Sequence, residues 1–141
     1  MTKNISYWLL KSEPDVYGWD DLLAEGEGTW DGVRNYTARN HLREMAVGDQ
    51  VFFYHSNIGL EIVGIAQISE AAFQDPSDDT GRWSSVKLKP IRKLARAVTL
   101  KEIKADPKLA DMDLLTKFRL SVSPVKTREW AYILKLSEQP L

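Results

Sequence analysis

Two apolar runs, Gln50–His55 (QVFFYH) and Glu61–Ile68 (EIVGIAQI), stand on either side of a short turn-forming segment, Ser56-Asn57-Ile58-Gly59. Aromatic and β-branched residues in runs of this length, broken by Asn and Gly, predict a pair of strands joined as a hairpin, so the chain must build a sheet. Further strands are expected at Ser6–Lys11 (SYWLLK), stopped by Pro14, at Ser85–Ile91 (SVKLKPI), placed near an edge by Pro90, and around Leu120–Val122 and Val125. Helices are expected between and after them. Trp19–Ala24 has helical composition before Gly26 and Gly28, which mark a loop reaching Trp30, and Tyr36–Met45 spaces Ala38, Leu42 and Met45 helically before Gly48-Asp49. Thr99-Leu-Lys-Glu102 is a capping box opening a helix that Pro107 ends, and Thr127 is read as the cap of a final helix carrying Trp130, Ile133 and Leu134. Between the strands, Gln74–Arg82 is acidic and reads as an exposed loop.

At 141 residues, with 43% hydrophobic and 28% charged side chains, the sequence fits one globular domain, residues 1–141, with one core. Several short strands mixed with helices predict an α+β fold, a small mixed β-barrel with flanking α-helices. The sequence contains no cysteine, which removes disulfides, zinc–thiolate sites and thiol catalysis. A reducing compartment fits. The apolar stretch Tyr7–Leu10 is too short for a signal-peptide core and no run approaches a membrane span, so a cytoplasmic protein is the simplest expectation, compatible with a nucleoid; no membrane partner is expected. Oligomeric state is left open, a monomer being compatible.

Catalytic patterns are thin. The two histidines, His41 and His55, form no HxH, HxxxH or HExxH pattern, no glycine pattern makes a nucleotide-phosphate loop, and neither metal nor cofactor is expected. His41 sits among helix residues and is read as solvated or capping. An enzyme acting on a nucleobase would have to use Glu13, Asp31 or His55 as acid or base.

Binding residues are more concentrated. Net charge is −1, yet the segment from Lys87 to Lys108 holds Lys87, Lys89, Arg92, Lys93, Arg96, Lys101, Lys104 and Lys108 against Glu102 and Asp106. Such a segment is either a phosphate-binding face or solvated, edge-protecting charge. Trp30 follows Gly26 and Gly28 and precedes Asp31-Gly32-Val33-Arg34-Asn35. It can stack on a planar ligand beside groups that read base edges, or it can plug the end of the fold while Asp31 and Arg34 pair locally. Lys11, Ser12 and Glu13 end the first strand with a cation, a hydroxyl and a carboxylate. Arg119 and Ser121 alternate with Leu120 and Val122, which would put both on one strand face.

These clusters carry a resemblance. Trp8–Pro14 (WLLKSEP), Trp30–Asn35 (WDGVRN), Ala38–Asn40 (ARN), Phe53–Asn57 (FYHSN) and Arg119–Pro124 (RLSVSP) stand in an order that resembles EVE proteins, as do Gly48-Asp49, Ile62–Ala66 (IVGIA) and Leu100–Asp113. The resemblance runs from about Tyr7 to Leu134. It implies a PUA-like barrel, kinship with YTH and ASCH domains, and a noncatalytic module that reads a modified base, chiefly modified cytosine in DNA, with RNA as the other polymer. On that pattern Trp30 forms a cage wall and Trp83 a second one. Lys11, Ser12, Glu13, Arg34, Asn35 and the strand residues Tyr54, His55 and Ser56 line the pocket. Arg119 and Ser121 approach the base or its flanking phosphate. On the charge pattern, not the resemblance, Lys87, Lys89, Arg92, Lys93 and Arg96 are the candidates for phosphate contact. A free small molecule in the same pocket is the competing ligand.

Overall fold

The computed structural model describes residues 5–139. Strand β1 (Tyr7–Ser12) leads into two short helices, α1 (Pro14–Tyr17) and α2 (Trp19–Glu25), then β2 (Gly28–Trp30) and helix α3 (Tyr36–Glu44). Strands β3 (Gln50–His55), β4 (Glu61–Gln74) and β5 (Ser84–Thr99) follow, then α4 (Leu100–Ala105), a 3-10 turn over Pro107–Leu109, α5 (Asp113–Thr116), β6 (Val122–Val125) and α6 (Thr127–Ser137). All strands join one sheet in the order β2-β5-β4-β3-β1-β6, with β1 parallel to β3 and every other neighbouring pair antiparallel.

The mixed α+β class is as the pattern predicts, with helices flanking the sheet, but the sheet is open. Strands β2 and β6 end the order without pairing to each other. Helix α3 packs against β4, β5 and β6, so a helix occupies ground that closure would need. The β4–β5 ribbon shifts register at several places, and such bulges bend and coil a long hairpin.

Strand alternation divides the apolar residues between the two sheet faces, so the single core expected from length becomes two clusters. Trp8, Leu10, Val51, Phe53, Val86 and Leu88 pack under α2 and α3 with Trp19, Leu22, Ala38 and Leu42. Leu9, Phe52, Ile65, Leu94 and Val98 pack under the C-terminal helices with Ile103, Leu114, Trp130 and Ile133. Gly64 is required on the first face. A Cβ there would stand 2.6 Å from the Trp19 indole, so only glycine lets that ring lie against β4. Asp49 ties the N-terminal strand down, its buried carboxylate accepting from Ser6 N, Trp8 Nε1 and Ala46 N at 3.0–3.1 Å.

Several local expectations change. Strands β4 and β5 run well beyond Glu61–Ile68 and Ser85–Ile91, because they pair with each other along their length, from Glu61 opposite Thr99 to Gln74 opposite Ser84. Pro90 does not end β5. It lies past Leu88, the last β5 residue paired with β2, where that flank carries no partner strand. Residues Gly28–Trp30, expected in a loop, form β2, and Pro14 opens α1 as its first residue. Thr127 is the first residue of α6. Lys126 is the cap, and Glu129 accepts from its backbone N–H at 2.9 Å. His41 packs against Trp8, ring centroids 5.8 Å apart, instead of standing in solvent. No helix among the described residues is long and apolar enough to cross a membrane.

Candidate functional site

The end of β1, helix α1 and the segment from β2 to α3 frame an open cavity of about 510 Å³. That lies in the range, roughly 300–1,000 Å³, of sites that hold small ligands. Lys11, Ser12, Glu13, Trp30, Arg34 and Ser121 meet there although distant in sequence, and Val16, Tyr17, Thr29, Asp31, Gly32 and Val33 complete the wall.

Each wall has a local cause. Lys11 and Ser12 end β1, and Lys11 is held by its backbone and by its side chain. Its backbone N–H donates to Ser121 O at 2.9 Å and its Nζ to Phe118 O at 2.6 Å. Partial burial pushes the Lys11 ammonium pKa down, since desolvation disfavours the charged form. Ser12 Oγ donates to Tyr17 O at 2.5 Å, which fixes α1 against the strand end. Trp30 is set by the β2–β5 ladder, opposite Val86, and is only 8% exposed. It meets Tyr17 and Phe53 at 83° and 88° between ring planes, so it is largely a core residue with a small part of its surface left to the cavity. Tyr17 supplies the second aromatic wall. Its hydroxyl donates to Glu25 Oε1, and burial, followed by that carboxylate, raises its pKa.

The far wall hangs on one carboxylate. Asp75, fully buried, accepts from Gly32 N at 2.8 Å and Arg34 Nη1 at 3.0 Å through Oδ2. Its Oδ1 accepts from Ser77 N at 2.7 Å and Ser77 Oγ at 2.6 Å. Burial alone would push this carboxyl up, but hydrogen bonds from Ser77, Arg34 and Gly32 outweigh it and hold the pKa at about 2. The local Asp31–Arg34 pair, one of the two readings this segment allows, does not form; Arg34 pairs with Asp75. Asp31 stays exposed on the rim. Gly32 has φ +78°, a conformation glycine adopts without strain, and this aims its N–H at Asp75.

Other expected site residues lie elsewhere. Asn35 Oδ1 caps α3 by accepting from Ala38 N at 2.9 Å, and Asn35 shares a separate groove with Arg119. Arg119 and Ser121 diverge because β6 begins only at Val122 and the residues before it are irregular. Tyr54 and Ser56 face a third concavity on the far side of Lys11, where burial raises the Tyr54 pKa. His55 Nε2 accepts from Trp19 N at 3.1 Å, an anchoring role for the start of α2, and burial lowers its pKa. Trp83, expected as a second wall, stacks on Tyr36 with centroids 4.9 Å apart and does not line the cavity, where the other aromatic residue is Tyr17.

On β5, Lys89, Arg92 and Lys93 are exposed and Lys87 is half-buried, paired in register with Thr29 of the cavity wall. Arg96 is engaged at home, with Glu102 at 2.8 Å and Gln139 O at 2.5 Å. Sequence reading missed Tyr17, Thr29, Gly32 and Asp75. The Asp75-Pro76-Ser77 spacing, an Asp whose side chain accepts from the backbone two residues on, was the available signal for the last.

The sequence model of the EVE domain matches residues 6–136. Mouse thymocyte nuclear protein 1 is 38% identical over 171 residues, covering 96% of this chain and 76% of that protein. The crystal structure of the human THYN1 protein in complex with 5-methylcytosine-containing DNA is 34% identical, covers 96% of this chain and 99% of its own, and superposes with a TM-score of 0.88. The YTH domain of the Zygosaccharomyces rouxii MRB1 protein, solved with N6-methyladenosine RNA, is 18% identical over 99% of this chain and 88% of its own at a TM-score of 0.60, a likeness of fold alone.

Proposed function

The chain belongs to the EVE domain family, and from that premise we propose that it is a noncatalytic nucleic-acid-binding module that reads a modified base, first a modified cytosine in DNA, in the Trp30 cavity. One observation carries the reading. A cavity of the right size, walled by Trp30 and Tyr17 and rimmed by donors and acceptors, occurs in a chain that superposes closely on a protein solved with 5-methylcytosine DNA.

The chemistry suits a cytosine taken out of the stack. Glu13 and Asp31 are acceptors for the N4 amino group, and Lys11, Arg34 and Ser121 are donors for the ring acceptors. Extrusion costs a few kcal/mol, which a preformed aromatic pocket offsets. Lys87, Lys89, Arg92 and Lys93 would hold the flanking backbone, adding affinity without sequence information. Glu13 and Asp31 also line the cavity that an enzyme would use, but the binding chemistry needs neither as a proton carrier.

The test is a panel of DNA and RNA oligonucleotides differing in one base modification at a time. Burying one methyl group contributes about 0.8 kcal/mol, so 5-methylcytosine DNA should bind about fourfold more tightly than its unmodified match. Neutralising Lys89 and Lys93 together should weaken both equally and flatten the salt dependence. Equal affinity across the panel sinks the reading. A free modified nucleoside that binds as tightly as the oligonucleotide, without salt dependence, makes the cavity a small-molecule site instead.

A further inference from the structure

A second cationic feature lies where α3 passes the loop between β4 and β5. Arg39 and Arg43 stand one turn apart on α3 and converge on one acceptor. Arg39 Nη1 and Arg43 Nη2 each donate to the backbone carbonyl of Arg82 at 3.2 Å. The other hydrogen bonds of both side chains go to neutral acceptors, Asn40 Oδ1 at 2.8 and 3.1 Å for Arg39 and Ser84 Oγ at 2.9 Å for Arg43. Among the described residues no carboxylate forms an ion pair with Arg39, Arg43 or Arg82. The loop's Asp75 and Asp78 are engaged elsewhere, Asp75 with Gly32, Arg34 and Ser77, and Asp78 with Thr80 and Trp83. Like charges at this helical spacing repel. Two guanidiniums sharing one neutral oxygen are therefore a weak device for stability and a ready one for an anion.

An aromatic ladder joins this pair to the cavity. Arg34, part of the cavity wall, lies 5.5 Å over the Trp83 ring, and Trp83 stacks on Tyr36 at 29° between planes. Arg39 lies 4.8 Å over the Tyr36 ring, and Tyr36 is 55% exposed. Stacking restricts a guanidinium before any ligand arrives while leaving its N–H edge able to meet a phosphate in two places. We propose that Arg39 and Arg43, set by the Tyr36–Trp83 stack, clamp backbone phosphates of the same strand whose base enters the cavity, at nucleotides flanking that base. This rests on the base-reading role given above. Continuity from the cavity through Arg34 and two rings favours a polynucleotide over a free phosphate, which would need no such path.

The experiment measures affinity against salt for matched modified and unmodified oligonucleotides, with wild type, R39Q/R43Q and R39K/R43K. Each lost phosphate contact should flatten the slope of log K against log salt by about 0.7–0.9, so the Gln pair should flatten it by about 1.5 and lower affinity on the order of tenfold at 0.15 M salt. Both oligonucleotides should lose equally, leaving their ratio unchanged. The Lys pair keeps the charge and should recover most of the slope but not the affinity that two-point guanidinium contact adds, which separates phosphate contact from a folding defect. An unchanged slope in R39Q/R43Q overturns the clamp. A flattened slope in a protein whose wild type shows no preference for the modified base supports the phosphate contact and removes the base-reading role alone.

Discussion

Asp75→Asn removes one oxygen's charge from beneath the cavity and leaves the shape of the side chain. In the wild type four donors converge on this carboxylate, from Gly32, Arg34 and twice from Ser77. The amide keeps one acceptor oxygen and turns an NH₂ toward donors, whichever way it rotates. The gap between about 2 and the usual carboxyl value of 3.8 corresponds to about 2 kcal/mol of preference for the charged form in the folded state. Arg34 keeps 40% of its side chain in solvent, so it is not stranded as a fully buried charge would be. The cost should fall below the roughly 3–5 kcal/mol of such cases, at about 2–3 kcal/mol. Because the folded pKa lies below the unfolded one, this contribution is complete above about pH 4 and is lost as the pH falls toward 2. Urea unfolding at pH 7 and at pH 2.5 should therefore show a wide gap between wild type and variant at neutral pH and a narrow one in acid. Affinity for the modified oligonucleotide should fall too, since Gly32 and Arg34 lose their anchor. A variant within 0.5 kcal/mol of wild type at pH 7, roughly the scatter of surface substitutions, would refute the claim that this carboxylate holds the wall.

Trp30→Ala should cost about 3–5 kcal/mol, measured by chemical denaturation, because the indole is 8% exposed and packed in the core; Trp30→Phe is the variant in which base preference can be read without unfolding. Gly64→Ala should lower the thermal midpoint through about 1–3 kcal/mol of overpacking against Trp19, and an unaltered midpoint would mean the indole can move aside. Thr99→Ala removes the hydroxyl that accepts from Glu102 N at 3.1 Å and should cost about 1 kcal/mol in urea unfolding. Burial lowers the His55 pKa, and its neutral Nε2 accepts from Trp19 N, so stability should fall as the pH drops from about 6.5 through the lowered value; an NMR titration placing His55 above 6.5 would contradict this.

What could be read from the sequence follows from how local each cause is. Strand β3 has the boundaries its composition predicts because it is a central strand, apolar on both faces. The Thr99–Glu102 capping box needs only four residues and is present as written. Strand β2 was illegible, since Gly-Thr-Trp becomes a strand only by pairing with β5. Trp30 drew notice for its neighbours, but that pairing decides how little of the ring remains for a ligand. Asn35 and Arg34 look alike as polar residues after a tryptophan. One caps the helix behind it, and the other is drawn to a carboxylate distant in sequence. Asp75 and Asp79 sit in the same acidic stretch, and only three-dimensional placement makes the first buried and the second exposed.

Strand β1 lies between β3 and β6, so it is flanked by a parallel partner some forty residues later and by the last strand among the described residues. Lys11 therefore cannot take its place beside Ser121 until β6 has docked. During synthesis, everything that precedes β6 leaves one flank of β1 without a partner, an open edge able to pair with another chain. Pairings this distant in sequence are slow to form. The cavity should accordingly be among the last features to appear in refolding, after the β3–β4 hairpin. Shortening the chain before Val125 should yield aggregation in place of a weaker binder.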